Sequence, residues 1–518
     1  MGPGRLRVAA LALPALATLA GYALPRSRRA SALVRLAALA FPGGAAGLAL
    51  AGRGGQAARS GPAAGGGSAF CDVAQQAPDP LAAHAEAMVT VMVPARDEAA
   101  VISRLVADIG AARSGPLALV VIDDASRDGM ADLACAAIEA CRLSDVARVV
   151  RLTTPSGGKG AALAAVLPPA SGVVVVLDAD ARVAPDFIVR VRAVAATAAA
   201  AQARRRMLRP APGCDRDRGA GLLALLQDGE QRIDALISRV RLRVRGAAEF
   251  RGDGMVISAQ ALRALGGWPH DALCEDLELA TRWYLATGLG VEHPANLEIW
   301  EQPVLTLRSL LSQRLRWAEG SIRRDLRLVL PALPDPRRPV RRRAELAAYA
   351  SQALMPWAVL GLAARSCRRP ARQQPAGRRL GRAEVDETAR GTLGSVVAGY
   401  GLVALVLAWA SQAPDEEQRA ETQRKAAAQQ RAALAEREQP APLGQGVPRG
   451  GRAPGLARRR PARSRHAWRL VRATLITAFT GLWALVLPIA WLRVAARPAS
   501  PRFVRTPHTT PARFSEPG

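Results

Sequence analysis

Acidic residues stand where short apolar runs stop. Asp123 and Asp124 close the run Leu117 to Ile122, and Asp178-Ala179-Asp180 closes Val173 to Leu177. In a parallel sheet the carboxyl ends of the strands share one edge, so both groups would arrive there, able to bind a divalent cation and to hydrogen-bond a ribose or base. An Asp-x-Asp triplet by itself more often opens a turn or caps a helix. Its position after a four-valine run, downstream of a second acidic strand end, is what points to a site. Mg2+ or Mn2+ suits such hard oxygen donors and would neutralise a leaving diphosphate.

Three more segments have chemistry-bearing residues. Ser156-Gly157-Gly158-Lys159-Gly160 lacks the first glycine of a P-loop and has Gly160 where Ser or Thr should follow the lysine, which excludes an ATPase. A glycine turn with Lys159 reaching an anion remains. Glu275-Asp276 opens a helix that continues to Tyr284, where acids also serve simply to complement the helix dipole. Gln313-Arg314-Leu315-Arg316-Trp317 lies in an amphipathic helix beginning near Leu307, and out of context it would be a basic interfacial helix.

The elements that must position these residues follow from periodicity. Candidate strands are Val89 to Val93, Leu117 to Ile122, Ala147 to Leu152 and Val173 to Leu177, with helical segments at 99–112, 129–141 and 159–166. Strand–helix alternation predicts a mostly parallel sheet with helices on both faces and a ligand site at the carboxyl edge. The expected organisation is N-terminal membrane helices over 1–51, a Gly, Ala and Pro-rich linker over 52–87 and a catalytic domain over 88–330. Membrane or interface helices over 331–411, a charged low-complexity loop over 412–470, a transmembrane helix over 471–495 and a tail over 496–518 complete it. Spans are expected at 8–24, 391–410 and 473–492, each close to the ~20 residues a bilayer requires. Segments 32–51 and 344–364, broken by Arg35 and Pro42 or by Pro356, suit interfacial or re-entrant helices. Arg-rich stretches at 365–390 and 412–470 flank a single span, so the positive-inside rule leaves the topology open.

Composition narrows the class. Of 518 residues, 50% are hydrophobic, enough for one catalytic domain and several spans. The net charge of +28 suits a polyanionic partner, but Lys159 and Lys425 are the only lysines, and the arginines cluster beside apolar segments, as at Arg26 to Arg29, Arg341 to Arg343 and Arg458 to Arg460. Membrane orientation accounts for such runs better than nucleic acid does, and no nucleic-acid partner is expected. The six cysteines form no Cys-x-x-Cys pair, so free thiols in a reducing compartment are expected.

In order and spacing these segments resemble the membrane-bound family 2 glycosyltransferases over roughly residues 88–330. Val93 to Glu98 is similar to the family's opening nucleotide-binding segment, Asp123 and Asp124 to its second acidic site, and Asp178-Ala179-Asp180 to its metal-binding triplet. Glu275-Asp276 resembles the acidic pair that supplies its base, and Gln313, Arg316 and Trp317 resemble its Gln-x-x-Arg-Trp signature. The resemblance implies an α/β nucleotide-binding domain of GT-A type, a mostly parallel mixed sheet, together with transmembrane helices. It implies that Pro94, Ala95, Glu98, Asp123, Asp124, Lys159 and Asp178 bind the nucleotide sugar and that Asp180 holds Mg2+ or Mn2+. Asp276 would deprotonate the acceptor in an inverting transfer, with Arg316 and Gln313 beside the diphosphate and Trp317 under the acceptor.

Finer detail resembles the family's cyanobacterial members that glucosylate diacylglycerol. Ala248 to Gly254, Gly266-Gly267-Trp268, Ser156 to Lys159 and Gln313 to Gly320 match segments of theirs, whereas Asp253, Glu275 and the stretch 203–220 depart from them. A hexose, glucose from UDP-glucose, passing to a lipid acceptor such as diacylglycerol is the function implied. A processive polysaccharide synthase of the cellulose or poly-N-acetylglucosamine type is the second, and a catalytically silent anchor or polyanion binder the third. The resemblance also implies an integral protein of a bacterial inner or thylakoid-type membrane with its catalytic domain in the cytoplasm.

Overall fold

A computed structural model describes residues 8–9, 11–17, 87–209, 218–366, 401, 404–412, 462–497 and 514. The expected linker over 52–87, apart from Ala87, the apolar segment 32–51 and most of the low-complexity loop over 412–470 lie outside them, as do residues 18–24 of the expected span 8–24 and most of 391–403 of the expected span 391–410.

Four parallel strands begin the domain: β1 (Val89–Ala95), β2 (Leu117–Asp123), β3 (Ala147–Arg151) and β4 (Val173–Val176). Between them run α1 (Ile102–Ala111), α2 (Met130–Ala140) and α3 (Lys159–Ala164). After β4 come α4 (Phe187–Ala195), β5 (Ala200–Gln202) and β6 (Arg204–Met207), and then α5 (Arg218–Arg243). β7 (Met255–Ser258) leads into α6 (Ala259–Ala264) and α7 (Glu275–Thr287), followed by β8 (Glu298–Glu301) and α8 (Leu307–Arg324). The six-stranded sheet has the order β3-β2-β1-β4-β7-β5, with β7 antiparallel to both of its neighbours, while β6 and β8 form a separate parallel pair. This is the mostly parallel mixed sheet expected of a GT-A type domain.

Strand residues alternate between two cores because successive side chains leave a strand on opposite faces. Val91, Val121, Val175 and their neighbours pack on Ile102, Leu105, Phe187 and Val191, while Met92, Ile122, Val174 and Val176 pack on Leu163, Phe250, Leu279 and Trp283. With both faces covered, β4 has four buried valines in succession, each worth roughly 1.5 kcal/mol of transfer free energy. The clean period of a half-exposed strand is therefore missing.

After α8 the chain makes a π-helical turn, Asp325–Val329, then runs through α9 (Val340–Ser351) and α10 (Met355–Ser366). At the far end are α11 (Ala462–Thr480) and α12 (Trp483–Ala496). Among the described residues one stretch, Ala467–Ala496, is long and apolar enough to cross a membrane, and the expected span 473–492 lies inside it. The segment 344–364 is instead broken between α9 and α10 by a 3-10 turn at Gln352–Leu354. Leu346 of α9 packs against Tyr284 and Val329 of the catalytic domain.

Candidate active site

The carboxyl edge of the parallel strands opens onto a cavity of about 1790 Å3, well above the ~300–1,000 Å3 typical of a single-ligand site. Pro94, Ala95, Glu98, Asp124, Lys159, Asp178, Asp180, Asp276, Gln313, Arg316 and Trp317 all line it. Of the residues singled out in the sequence, Asp123 alone does not. Its Oδ1 accepts the Ser126 amide at 2.9 Å and holds the β2–α2 turn.

The loops at this edge are clipped together before any ligand is considered. Ser126 Oγ accepts the Asp97 amide at 2.9 Å, and Asp97 Oδ1 accepts the Arg127 amide at 2.8 Å. Asp124 donates its amide to Ala95 O, and its Oδ1 accepts Ser156 N–H at 2.6 Å, drawing the glycine turn toward β1. That turn delivers Lys159, the first residue of α3. Its Nζ donates to Asp178 Oδ1 at 2.5 Å and Gly252 O at 2.8 Å, and lies 4.0 Å from Glu275. Burial disfavours the ammonium, but Asp178, Glu275 and Asp253 outweigh it and raise the lysine above its ordinary range.

Asp276 sits in the first turn of α7, facing the backbone of Gly252. That glycine has φ +83°, which permits the turn, and an added Cβ would make an ordinary contact with Asp276 Oδ2 at 3.4 Å. Burial raises the Asp276 carboxyl, against the Leu277 amide, Lys159 and Arg251, which favour its charged form. Its neighbour Glu275 is pushed up to about 7 by burial and then by the Asp276 charge, with Lys159 opposing. A buried carboxylate with a raised pKa suits proton abstraction.

Gln313, Arg316 and Trp317 fall at i, i+3 and i+4 on α8, one face of the helix. The Trp317 indole is flanked by the guanidinium groups of Arg314, 4.6 Å from the ring centroid, and Arg205, 5.8 Å away. Arg205 pairs in turn with Glu301.

The residues fit a divalent ion. Asp178, Asp180 and Glu301 line the cavity, and the buried Asp253 lies within range of all three charges. Burial, then repulsion from the other three acids, holds the Asp253 carboxyl well above the usual range, and its buried Oδ2 has no hydrogen-bond partner. Among the described residues no three His, Cys, Asp or Glu side chains close on a single point. Protein carboxylates would therefore supply only part of a coordination shell, as is usual for Mg2+ held jointly with phosphates. Asp180 Oδ2 already accepts the Gln302 amide at 2.9 Å, which fixes its orientation.

Several cavity residues had not been singled out in the sequence: Arg205 and Glu301 on β6 and β8, Glu230 and Asp234 on α5, Tyr349 on α9 and Trp483 on α12. The helical spacing of Leu222, Leu226, Ile233, Ile237 and Val240 could have revealed α5. Nothing local marks which of its polar residues face the cavity.

Residues 85–320 match the family model described as Glycosyltransferase like family 2. The chain is 30% identical over 243 residues to a beta-monoglucosyldiacylglycerol synthase of Trichormus variabilis, covering 46% of this chain and 50% of that protein. It is 34% identical over 177 residues to the enzyme of the same name from Synechocystis sp., covering 33% of this chain and 34% of that one. The chain thus spans about half the length, or less, of these curated relatives. Among solved structures, the mannosyltransferase PcManGT from Pyrobaculum calidifontis, in complex with GDP-Man and Mn2+, covers 71% of this chain and 96% of its own at 22% identity, with a TM-score of 0.46.

Proposed function

We propose that the protein, whose residues 85–320 match the family model described as Glycosyltransferase like family 2, transfers glucose from UDP-glucose to a membrane lipid such as diacylglycerol, with inversion. The observation that carries the lipid acceptor is the lining of the cavity, which joins the acidic strand ends and Asp276 to the apolar side chains Ile237, Met355, Leu407 and Leu487, drawn from helices that include the apolar stretch Ala467–Ala496. A lining of both kinds suits an acceptor with a hydroxyl and acyl chains. The names of the relatives agree with this choice.

In the transfer, Asp276 accepts the proton of the acceptor hydroxyl as that oxygen bonds to the anomeric carbon from the face opposite the nucleotide. The bond from that carbon to the β-phosphate oxygen breaks and its electron pair leaves with UDP, so a single displacement inverts configuration. One positioned base is typically worth 10²- to 10⁴-fold. Pro94, Ala95, Glu98 and Asp124 hold the nucleoside, and Arg316, with Lys159 behind Asp178, meets charge on the diphosphate. Mg2+ or Mn2+ bound at Asp180 would supply further neutralisation of that leaving group. Gln313 steadies the diphosphate side and Trp317 offers its face to the acceptor.

The test is to supply labelled UDP-glucose, Mg2+ and diacylglycerol to membranes containing the protein or its Asp276→Asn variant, and to separate the lipids by thin-layer chromatography with mass analysis. A monoglucosyl lipid that falls at least about 100-fold in the variant is expected. The cavity's volume also accommodates a growing chain, and label in a water-soluble polymer would replace lipid transfer with processive synthesis.

A further inference from the structure

Behind the Trp317 indole three side chains from three helices meet. Arg314 of α8 is 4% exposed and ion-pairs with Glu230 Oε2 of α5, while its guanidinium lies between the rings of Trp317, at 4.6 Å, and Trp483, at 5.6 Å. The other Glu230 oxygen, Oε1, accepts Trp483 Nε1–H at 2.7 Å, a bond spanning 253 residues of sequence. Both Glu230 oxygens are thus committed, one to the signature helix and one to the first turn of α12. Glu230, Arg314, Trp317 and Trp483 all line the cavity.

The surrounding packing keeps this junction in register. At Gly229 a Cβ would collide with Ile476 of α11, so glycine allows α5 and α11 to approach side by side. Ala318, Ile322 and Leu326 of α8 interlock with Val486, Ala490, Trp491 and Val494 of α12. An almost fully buried guanidinium with one carboxylate partner and an aromatic ring on either side has little freedom to tilt. Whatever sets the plane of Arg314 also sets the indole against which it lies.

We propose that Glu230 and Trp483 are positioning residues for the acceptor: by fixing Arg314 they fix the Trp317 face, so that the C-terminal apolar helix is a working part of the acceptor site. This rests on the acceptor role given to Trp317 above. Donor binding rests mainly on the acidic edge of β1, β2 and β4, with Arg316 and Gln313 of α8 meeting only the diphosphate, so the acceptor should be affected more than the donor.

The full chain in phosphatidylcholine vesicles containing diacylglycerol tests this with Trp483→Phe, which keeps a ring but removes the donor N–H, and with Glu230→Gln. Trp468→Phe is the control. It lies in the same apolar stretch, is 61% exposed and does not line the cavity. Loss of one hydrogen bond predicts an increase of about fivefold in the diacylglycerol KM for Trp483→Phe. The UDP-glucose KM should rise by less than about twofold, and Trp468→Phe should change neither. Hydrogen exchange needs no acceptor: the amides of Gln313 to Trp317 should exchange faster in Trp483→Phe and Glu230→Gln, with β1 and β4 unchanged. Unaltered exchange at 313–317, or equal increases in both KM values, would overturn the proposal. If the wild type makes no glucosyl lipid while exchange still shifts, the lipid assignment fails and the coupling stands.

Discussion

Glu275 differs from its neighbour in what burial demands of it. Its carboxyl is pushed up to about 7 by burial and by the Asp276 charge, so the folded state holds a proton that the unfolded chain releases near the ordinary value of about 4.5. Between those values the native state binds more protons than the unfolded one, and stability therefore falls as pH rises through that window and levels off above it. Glu275→Gln, neutral throughout, should be indistinguishable from wild type at pH 4.5 and more stable by about 1–3 kcal/mol at pH 8. Melting midpoints of the two proteins at both pH values decide it. A constant difference would mean that Lys159, 4.0 Å away, stabilises the charged form more than burial opposes it. The place of the adjacent Asp276 in the cavity wall was legible from the sequence pattern. The division of labour in that acidic pair was not, because it depends on Lys159 and Gly252, which fold in from elsewhere.

Between the elements, charge is used as a joint. Glu249, ahead of β7, is 2% exposed and accepts from Arg251 at 2.9 Å, from Tyr349 of α9 at 2.7 Å and from Arg324 at the end of α8. Burial pushes its carboxyl up, but Arg324, Arg251 and Arg241 together hold it well below the usual range. Glu249→Gln leaves buried guanidinium groups short of a counter-charge and should cost about 3 kcal/mol, read as a lowered denaturation midpoint. Removing the exposed Arg113–Asp145 pair by Arg113→Ala should produce no resolvable change. The four parallel strands and the helices between them were legible because β2 and β4 are uninterrupted apolar runs closed by Asp, and β1 and β3 are shorter apolar runs set off by helical stretches. The short strands β5, β6 and β8 were not, since three or four residues such as Ala-Ala-Gln or Arg-Arg-Arg-Met become strands only by pairing with distant partners. The same holds for Glu230 and Trp483, whose bond closes a loop no local pattern foretells.

For the molecule as a whole, the question is whether its apolar C-terminal stretch places it in a membrane. The stretch Ala467–Ala496 buries only 28% of its apolar window, and Leu485, Ile489 and Leu492 are exposed along it. Such a surface is costly in water and comfortable in hydrocarbon. The net charge of +28 would also draw the protein to anionic headgroups, but that attraction is screened by salt. Washing membranes with 1 M salt, then alkaline carbonate, should leave the protein in the pellet. Release by salt alone would mean that it is held by charge at the surface and not by the apolar helices.

The lysine at the start of α3 has a practical corollary. It is one of two lysines in 518 residues, and it is protonated, 14% exposed and bound to Asp178 and Gly252. Reagents that attack amines need the neutral form. An amine-reactive dye or biotin ester should therefore react slowly at Lys159. Mild labelling through amines would spare the site where the sugar nucleotide is proposed to bind.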